Sequence, residues 1–147
     1  MAIALTPFTG FCGFRPLHEI SRFLSTVPEL ANLVGLAAVQ LFQESFSTDG
    51  RLALKRLFTT LMQSDPNDIA TQAGLLIDRV KDTGDLSGDQ SLAKLLIALD
   101  HQFPKDIGLF CAFFLNYVTL QPGEAMFLCA LDMHAYISGG KSRLGEW

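Results

Sequence analysis

The sequence predicts a mainly helical domain that is flanked at both ends by β strands. From Leu17 to Leu99, apolar residues recur at the i, i+3, i+4 and i+7 spacing of an amphipathic helix. Residues 1–14 and 106–139 are apolar segments interrupted by glycine and proline, which is typical of short strands and turns. The chain has 147 residues, of which 49% are hydrophobic, so it is long enough to bury a core of its own.

Residues 1–14 form the first predicted strand segment. Thr6-Pro7 interrupts it, and Gly10 and Gly13 lie within it, so we expect a pair of strands with a bend between them. The segment starts directly on an apolar run, without a turn or cap before it. We therefore expect further sequence upstream of Met1.

The segment from residue 15 to residue 105 is predicted to form about five helices. Asp49 is expected to cap one helix, and Asp65 with Pro66 at the first helical position is expected to start the next. Gly35 is suited to the position that follows a helix. Helical apolar stripes usually face a core rather than a partner helix, and no heptad pattern persists. The predicted buried positions are Ile20, Phe23, Leu24, Val27, Leu30, Leu33, Val34, Val39, Phe42, Phe46, Leu54, Leu57, Phe58, Leu61, Met62, Ile69, Ala73, Leu76, Ile77, Val80, Leu92, Leu95, Leu96 and Leu99.

Charge and composition disfavour several classes of protein. The formal net charge is −4 and no basic run occurs, which disfavours a nucleic-acid surface. The most apolar run, residues 107–120, is shorter than the roughly 20 residues of a membrane-spanning helix, so we predict a buried strand there and no membrane association. The N-terminus has no positively charged lead, and no signal peptide is expected. Cys12, Cys111 and Cys129 are widely spaced, which is typical of reduced thiols in a cytoplasmic protein.

The second strand segment surrounds Pro122-Gly123, a dipeptide that favours a type II turn. Residues 116–120 and 125–130 on either side are predicted to form a hairpin. His134 follows after one short loop, where a strand could hold a histidine ligand to a metal. A single histidine is more often structural or simply exposed, so this position alone does not establish a metal site.

The residue identities in five segments are more informative than the spacing of their apolar positions. Residues 120–128 read L-Q-P-G-E-A-M-F-L, and residues 134–139 read H-A-Y-I-S-G. Residues 1–8 read M-A-I-A-L-T-P-F, residues 12–16 read C-G-F-R-P, and residues 103–108 read F-P-K-D-I-G. Together these segments resemble the type I mannose-6-phosphate isomerase family, whose forms include L-K-P-G-E-A-M-F-L, P-H-A-Y-L-S-G-D and Y-P-x-D-I-G.

The resemblance extends over nearly all of residues 1–139, in order, and it implies a fold. In this family a helical segment is inserted between strands of a cupin, or jelly-roll, β-barrel. Residues 1–14 and 106–139 would therefore be strands of an incomplete cupin barrel, and residues 15–105 would be the helical insertion domain. Residues 140–147 would be a divergent tail.

The resemblance also implies one metal ligand and one substrate contact. The family holds a zinc ion with the Gln and His of a Q-x-H segment, a Glu, and the His of P-H-A-Y. Only the last of these matches the chain, at His134, whereas the Glu would be the residue immediately before Met1. Tyr136 matches the family tyrosine and would line the substrate pocket. Residues 131–133 replace the usual N-x-P triplet, and Arg143 does not match the arginine of the family's N-T-V-R-A-G segment.

The activity implied by the resemblance is that of a zinc-dependent aldose-ketose isomerase. Such an enzyme interconverts mannose 6-phosphate and fructose 6-phosphate for GDP-mannose supply, and its metal would polarise a sugar oxygen while a proton passes between C1 and C2. Because most ligand and catalytic residues are absent, the chain is expected to be an inactive fragment that does not retain zinc. The alternative is a noncatalytic truncated remnant or a small helical interaction module.

Two further patterns have structural explanations. Residues 135–142, A-Y-I-S-G-G-K-S, satisfy a relaxed phosphate-binding loop pattern. Such a loop requires a helix after it, and only five residues follow, so we expect no phosphate site at this position. His18 and His101 lie on predicted helices without a neighbouring set of ligands. We expect both histidines at the surface.

Overall fold

The computed structural model describes residues 2–86, 88–127, 134–138 and 141–143. They divide into two compact units. The strand unit comes from the segments Met1–Arg15 and Phe114–Trp147, and the helical unit is Pro16–Phe113. The predicted fold class, mainly helical with strands on both sides, is confirmed.

The described residues contain seven helices, and six of these lie within residues 15–105, where about five were predicted. Six of them have between seven and 18 residues, and the last is a short helix of four residues. Proline and glycine separate several of them, because Pro28 starts a new helix directly after the first one and Gly35 ends the second. The helices are α1 Leu17–Thr26, α2 Pro28–Val34, α3 Leu36–Ser45, α4 Gly50–Met62, α5 Pro66–Thr83, α6 Gln90–Gln102 and α7 Gly108–Cys111.

Aspartate caps start the three longest helices. The Asp49 carboxylate accepts the Leu52 N–H at 3.2 Å at the start of α4, and the Asp65 carboxylate accepts the Asn67 N–H at 2.8 Å at the start of α5. Asp89 caps α6 in the same way. Such a bond satisfies an amide that the helix itself leaves without a partner. The predicted caps at Asp49 and Asp65 are therefore confirmed.

The core of the helical unit follows the predicted stripes with few exceptions. Every predicted position on α1, α5 and α6 is buried. On α4 the buried residues are Ala53, Leu57 and Leu61, so the apolar face is narrower than expected and Met62 is 48% exposed. Three further positions that were predicted to be buried are only half-buried: Leu33, Val39 and Phe46.

A short helix occupies part of the run that was predicted to be a buried strand. The chain forms α7 at Gly108–Cys111 and becomes extended only at Leu115. The Asp106 carboxylate accepts the Gly108 N–H at 2.8 Å, which favours a helical turn at this point. Leu109, Phe110, Phe113 and Phe114 are buried as expected, because a short apolar run indicates burial without distinguishing a helix from a strand.

The described strands form two antiparallel three-stranded sheets, with orders β4-β1-β6 and β3-β2-β5. The predicted bend at Thr6-Pro7 separates β1 from β2, and these two strands lie in different sheets. No described helix is long and apolar enough to cross a membrane. The strands are β1 Ala2–Ala4, β2 Phe8–Phe14, β3 Leu115–Leu120, β4 Ala125–Met126, β5 His134–Ser138 and β6 Lys141–Arg143.

The turn at Pro122-Gly123 does not make the predicted hairpin. The strands on either side of it pair with different partners, β3 with β2 and β4 with β1. The Gly123 N–H donates to the Ala4 carbonyl oxygen at 2.8 Å, and the Ala4 N–H donates to the Glu124 carbonyl oxygen at 2.9 Å. Because β1 takes these hydrogen bonds, the turn carries the chain from one sheet to the other.

A buried ion pair joins α2 and α5 within the helical unit. Glu29 is only 6% exposed, and its carboxylate accepts two hydrogen bonds of 2.8 Å from the Arg79 guanidinium. Burial raises the pKa of the Glu29 carboxyl, but the bonds from Arg79 and the backbone, together with the Arg79 charge, outweigh burial and hold the pKa below its ordinary value of 4.5. The pair lets a charged side chain remain in an apolar core.

Replacing Arg79 should destabilise the fold, because the Glu29 carboxylate would stay buried without its partner. We expect Arg79→Met to lower the free energy of unfolding at pH 7 by about 2 kcal/mol, less than for a fully buried pair because Arg79 is partly exposed. Since the folded-state pKa of Glu29 is lowered, the contribution of the pair is complete above the unfolded-state pKa and is lost as the pH falls through the folded-state value. The difference between the parent chain and Arg79→Met should therefore shrink below pH 4.5. Urea denaturation at several pH values measures it.

The matched control is Arg51→Met, which changes an exposed arginine on α4. We expect it to change stability by less than about 0.5 kcal/mol. Equal losses in the two variants would contradict a stabilising role for the ion pair.

Lys105 has an unfavourable backbone conformation for a residue with a side chain. Its φ is +57°, the only positive φ of a non-glycine residue in the described part of the chain, and its N–H donates to the Asp100 carboxylate at 3.2 Å. We expect Lys105→Gly to stabilise the protein by about 0.5–1 kcal/mol, because glycine adopts this conformation without strain. Thermal unfolding measures the change.

Lys55→Gly provides the opposite case, because Lys55 is exposed in the interior of α4. There glycine should destabilise the protein by about 1 kcal/mol. If both variants lost stability, the conformation at Lys105 would not be a source of strain.

Candidate functional site

The candidate site is built on the edge strand β5 of the β3-β2-β5 sheet. His134 is the first residue of β5, and Tyr136 follows two residues later. Antiparallel pairing with β2 places His134 opposite Cys12 and Tyr136 opposite Gly10. The two predicted site residues are therefore close together on one strand, whose backbone is described at these positions. Residues 128–133, which include the predicted end of the hairpin and the loop before His134, lie outside the described residues.

The central strand β2 is anchored by an apolar cluster. Phe8 is buried against Ala4 and Met126, with Cys12, Val118 and Leu120 packed around this group. Phe11 is also buried, and its ring contacts the Tyr117 ring edge-on, with 6.2 Å between the centroids. Such packing fixes the strand that sets the register of β5.

Two irregularities interrupt the pairing of β2. The register with β5 shifts between Thr9 and Gly10, next to Tyr136, and the register with β3 shifts between Phe11 and Phe14. Gly13 lies in the second shift with a φ of +69°, which glycine adopts readily. The Asn116 side-chain amide stabilises this bulge by donating to the Phe14 carbonyl oxygen at 3.0 Å.

The described residues do not complete a metal site. A catalytic zinc ion needs about three protein ligands, and the described part of the chain contains no group of three His, Cys, Asp or Glu residues able to hold a metal. By backbone register, Cys12 is the sulfur-bearing residue opposite His134, and it is half-buried. His134 would need ligands from beyond these residues.

The other residues considered from the sequence have no place in this site. His18 and His101 are exposed on α1 and α6, as predicted. Lys141–Arg143, the end of the apparent phosphate-binding pattern, forms strand β6 and pairs with β1. A strand at this position cannot present a helix N-terminus to a phosphate, so the structural explanation of that pattern is supported.

Cys111, at the end of α7, is a poor nucleophile. Burial raises the pKa of its thiol to about 11, and the charge of Asp106 acts in the same direction. The thiolate is the reactive form of cysteine, so this residue is nearly inert at neutral pH. Among the described residues, Cys111 forms no disulfide.

Comparison with known proteins identifies close relatives of the chain. The family model for the helical insertion domain of type I phosphomannose isomerase matches residues 31–115. Mannose-6-phosphate isomerase of Schizosaccharomyces pombe is 45% identical over 144 residues, which cover 95% of this chain and 35% of that protein. The human mannose-6-phosphate isomerase is 42% identical, over 95% of this chain and 34% of that protein.

Solved structures agree with the sequence comparison. A zinc-bound mannose 6-phosphate isomerase matches with a TM-score of 0.72 and 28% identity, over 94% of this chain and 32% of that one. The isomerase of Salmonella typhimurium bound to fructose 6-phosphate and zinc matches with a TM-score of 0.70 and 28% identity over the same shares. The chain therefore spans about a third of the length of the relatives it matches.

The raised pKa of Cys111 gives a direct chemical test. At pH 8 the fraction of thiolate should be roughly a hundredfold lower than for a thiol with the ordinary pKa of 9.0. We expect iodoacetamide to modify Cys111 correspondingly slowly in the folded chain, as measured by peptide mass spectrometry. The same residue in urea serves as the control and should react at an ordinary rate. Similar rates in the two states would contradict the raised pKa.

Proposed function

Because the chain belongs to the type I phosphomannose isomerase family, we propose that it supplies the helical insertion domain and its flanking strands to an enzyme that interconverts mannose 6-phosphate and fructose 6-phosphate. The observation that carries this proposal is the position of the helical unit. Along the sequence it lies between β2 and β3, which are adjacent strands that pair with each other from Phe8 opposite Leu120 to Phe14 opposite Leu115. A helical segment between neighbouring strands of one sheet is the arrangement that the family resemblance implies.

We assign His134 the role of one zinc ligand in the complete enzyme. Its position on β5, held by an anchored central strand, suits a ligand that must keep a fixed direction. The zinc-bound relatives support a metal in the family. The described residues do not fit a zinc ion by themselves, so the remaining ligands would come from beyond the described residues.

Tyr136 is proposed to contact the sugar phosphate. It lies two residues beyond His134 on the same strand and opposite Gly10, a residue that brings no side chain of its own to the pair. A tyrosine can offer both a ring face and a hydroxyl group to a polar substrate.

The domain boundaries at residues 14, 105 and 139 belong to the same proposal.

A chimeric enzyme tests these roles. Residues 2–138 would replace the corresponding segment of the S. pombe mannose-6-phosphate isomerase, to which the chain is 45% identical. We expect a folded chimera with isomerase activity and bound zinc. His134→Ala should remove the zinc and lower kcat/KM by at least about a hundredfold, whereas Tyr136→Phe should lower kcat/KM and leave the zinc content unchanged. Coupled assays and metal analysis measure both.

His18→Ala is the matched histidine control, because His18 is exposed on α1 of the helical unit. It should change neither zinc content nor activity. A chimera that kept both after His134→Ala would overturn the assignment. A folded chimera without activity would favour the noncatalytic alternative.

The isolated chain supplies the complementary measurement. We expect it to show no isomerase turnover and no stoichiometric zinc, because the described residues do not complete a metal site. Turnover of the purified chain that His134→Ala abolished would show that the other ligands lie within it.

A further inference from the structure

A cleft between α5 and α6 is lined by residues that the proposed isomerase site does not use. It has a volume of about 410 Å³ and is lined by Lys81, Lys94, Ile97, Ala98, Asp100 and His101. All six residues belong to the helical unit. The volume lies within the roughly 300–1,000 Å³ of typical small-molecule sites.

The two lysines of this cleft form no ion pair with any described residue. Within the described part of the chain, neither ammonium group has a carboxylate oxygen within 4.0 Å. Asp100 is the one acidic residue among the lining residues, and its Oδ1 already accepts the Lys105 N–H at 3.2 Å. In a chain of net charge −4, this cleft is a place where an anion would meet unpaired cations.

The spacing on α6 combines charge with an apolar surface. Lys94, Ile97, Ala98 and His101 follow the i, i+3, i+4 and i+7 pattern, so they lie along one face of the helix. The half-buried Ile97 and the exposed Ala98 lie between the two basic side chains. Lys81, in the last turn of α5, adds the second ammonium group from the neighbouring helix.

We propose that this cleft binds a small phosphate monoester. The ammonium groups of Lys81 and Lys94 would contact the phosphate dianion, and Ile97 with Ala98 would contact the carbon skeleton of the ligand. An ammonium group binds phosphate as a point charge without strict geometry, which suits two exposed lysines. This site shares no lining residue with the one proposed around His134.

The test uses the purified 147-residue chain. Amide chemical shifts would be followed by NMR at pH 7 and constant ionic strength during titration with inorganic phosphate, mannose 6-phosphate or AMP, with chloride as the blank. We expect saturable shifts at residues 81, 94, 97, 98 and 101 with dissociation constants in the millimolar range, as exposed charge pairs provide only modest affinity. Equal constants for the three ligands would show that the phosphate group alone is recognised, which would overturn the contacts proposed for Ile97 and Ala98. Tighter binding of one organic ester would mean that Ile97 and Ala98 add contacts.

Charge-neutralising variants make the test specific. Lys81→Gln and Lys94→Gln should each raise the dissociation constant at least about fivefold. Lys55→Gln changes an exposed lysine on α4 outside the cleft and should leave the constant unchanged. The absence of saturable shifts at these amides up to about 20 mM ligand, or equal effects of all three variants, would overturn the proposal. All three lysines are exposed, so the variants should remain folded, which thermal unfolding would verify.

Discussion

The antiparallel pairing of β2 with β3 is the constraint on which the rest of the structure depends. It joins two segments that the whole helical unit separates in sequence, with Phe14 opposite Leu115. The Arg15 N–H also donates to the Phe114 carbonyl oxygen at 2.8 Å, just beyond the last strand pair. Because the closure of a long segment costs little more than that of a shorter one, a large insertion is compatible with an undisturbed sheet.

The helical unit has a hydrophobic core of its own. Ile20, Leu30, Leu76 and Leu96, from four different helices, are fully buried. The ion pair from Glu29 adds a polar link between α2 and α5, whose value depends on both partners being present. Together these contacts explain why the helices pack as one unit although proline and glycine separate them in sequence.

In the strand unit, β2 also pairs with the strand that carries the two candidate site residues. Phe8 and its apolar neighbours hold β2, and β2 sets the register of β5 through Cys12 and Gly10. His134 and Tyr136, which are two residues apart in the sequence, both lie on this paired strand. They are the residues proposed as a metal ligand and a substrate contact. The cleft on the helical unit, with Lys81 and Lys94, offers a second and chemically different place for a phosphate.

Local patterns in the sequence determined much of the fold and part of the site. The helical period predicted the buried faces of α1, α5 and α6, and aspartate and proline marked the starts of α4 and α5 correctly, because these signals depend on neighbours within one or two turns. The motif around His134 pointed to a strand position, although its role as a ligand stays a prediction. No comparable local pattern predicted the burial of Glu29, whose partner Arg79 is 50 residues away, or the cleft that contains the two lysines.

Only the tertiary structure decided which strands pair. Pro122-Gly123 has the local signature of a hairpin, yet the partners of β3 and β4 are β2 and β1, at the other end of the chain. The apolar run before Leu115 likewise became a short helix, since its burial could be satisfied in either conformation. Turn propensity and hydrophobicity act locally, whereas strand pairing and the burial of a charge depend on long-range contacts that no short stretch of sequence contains.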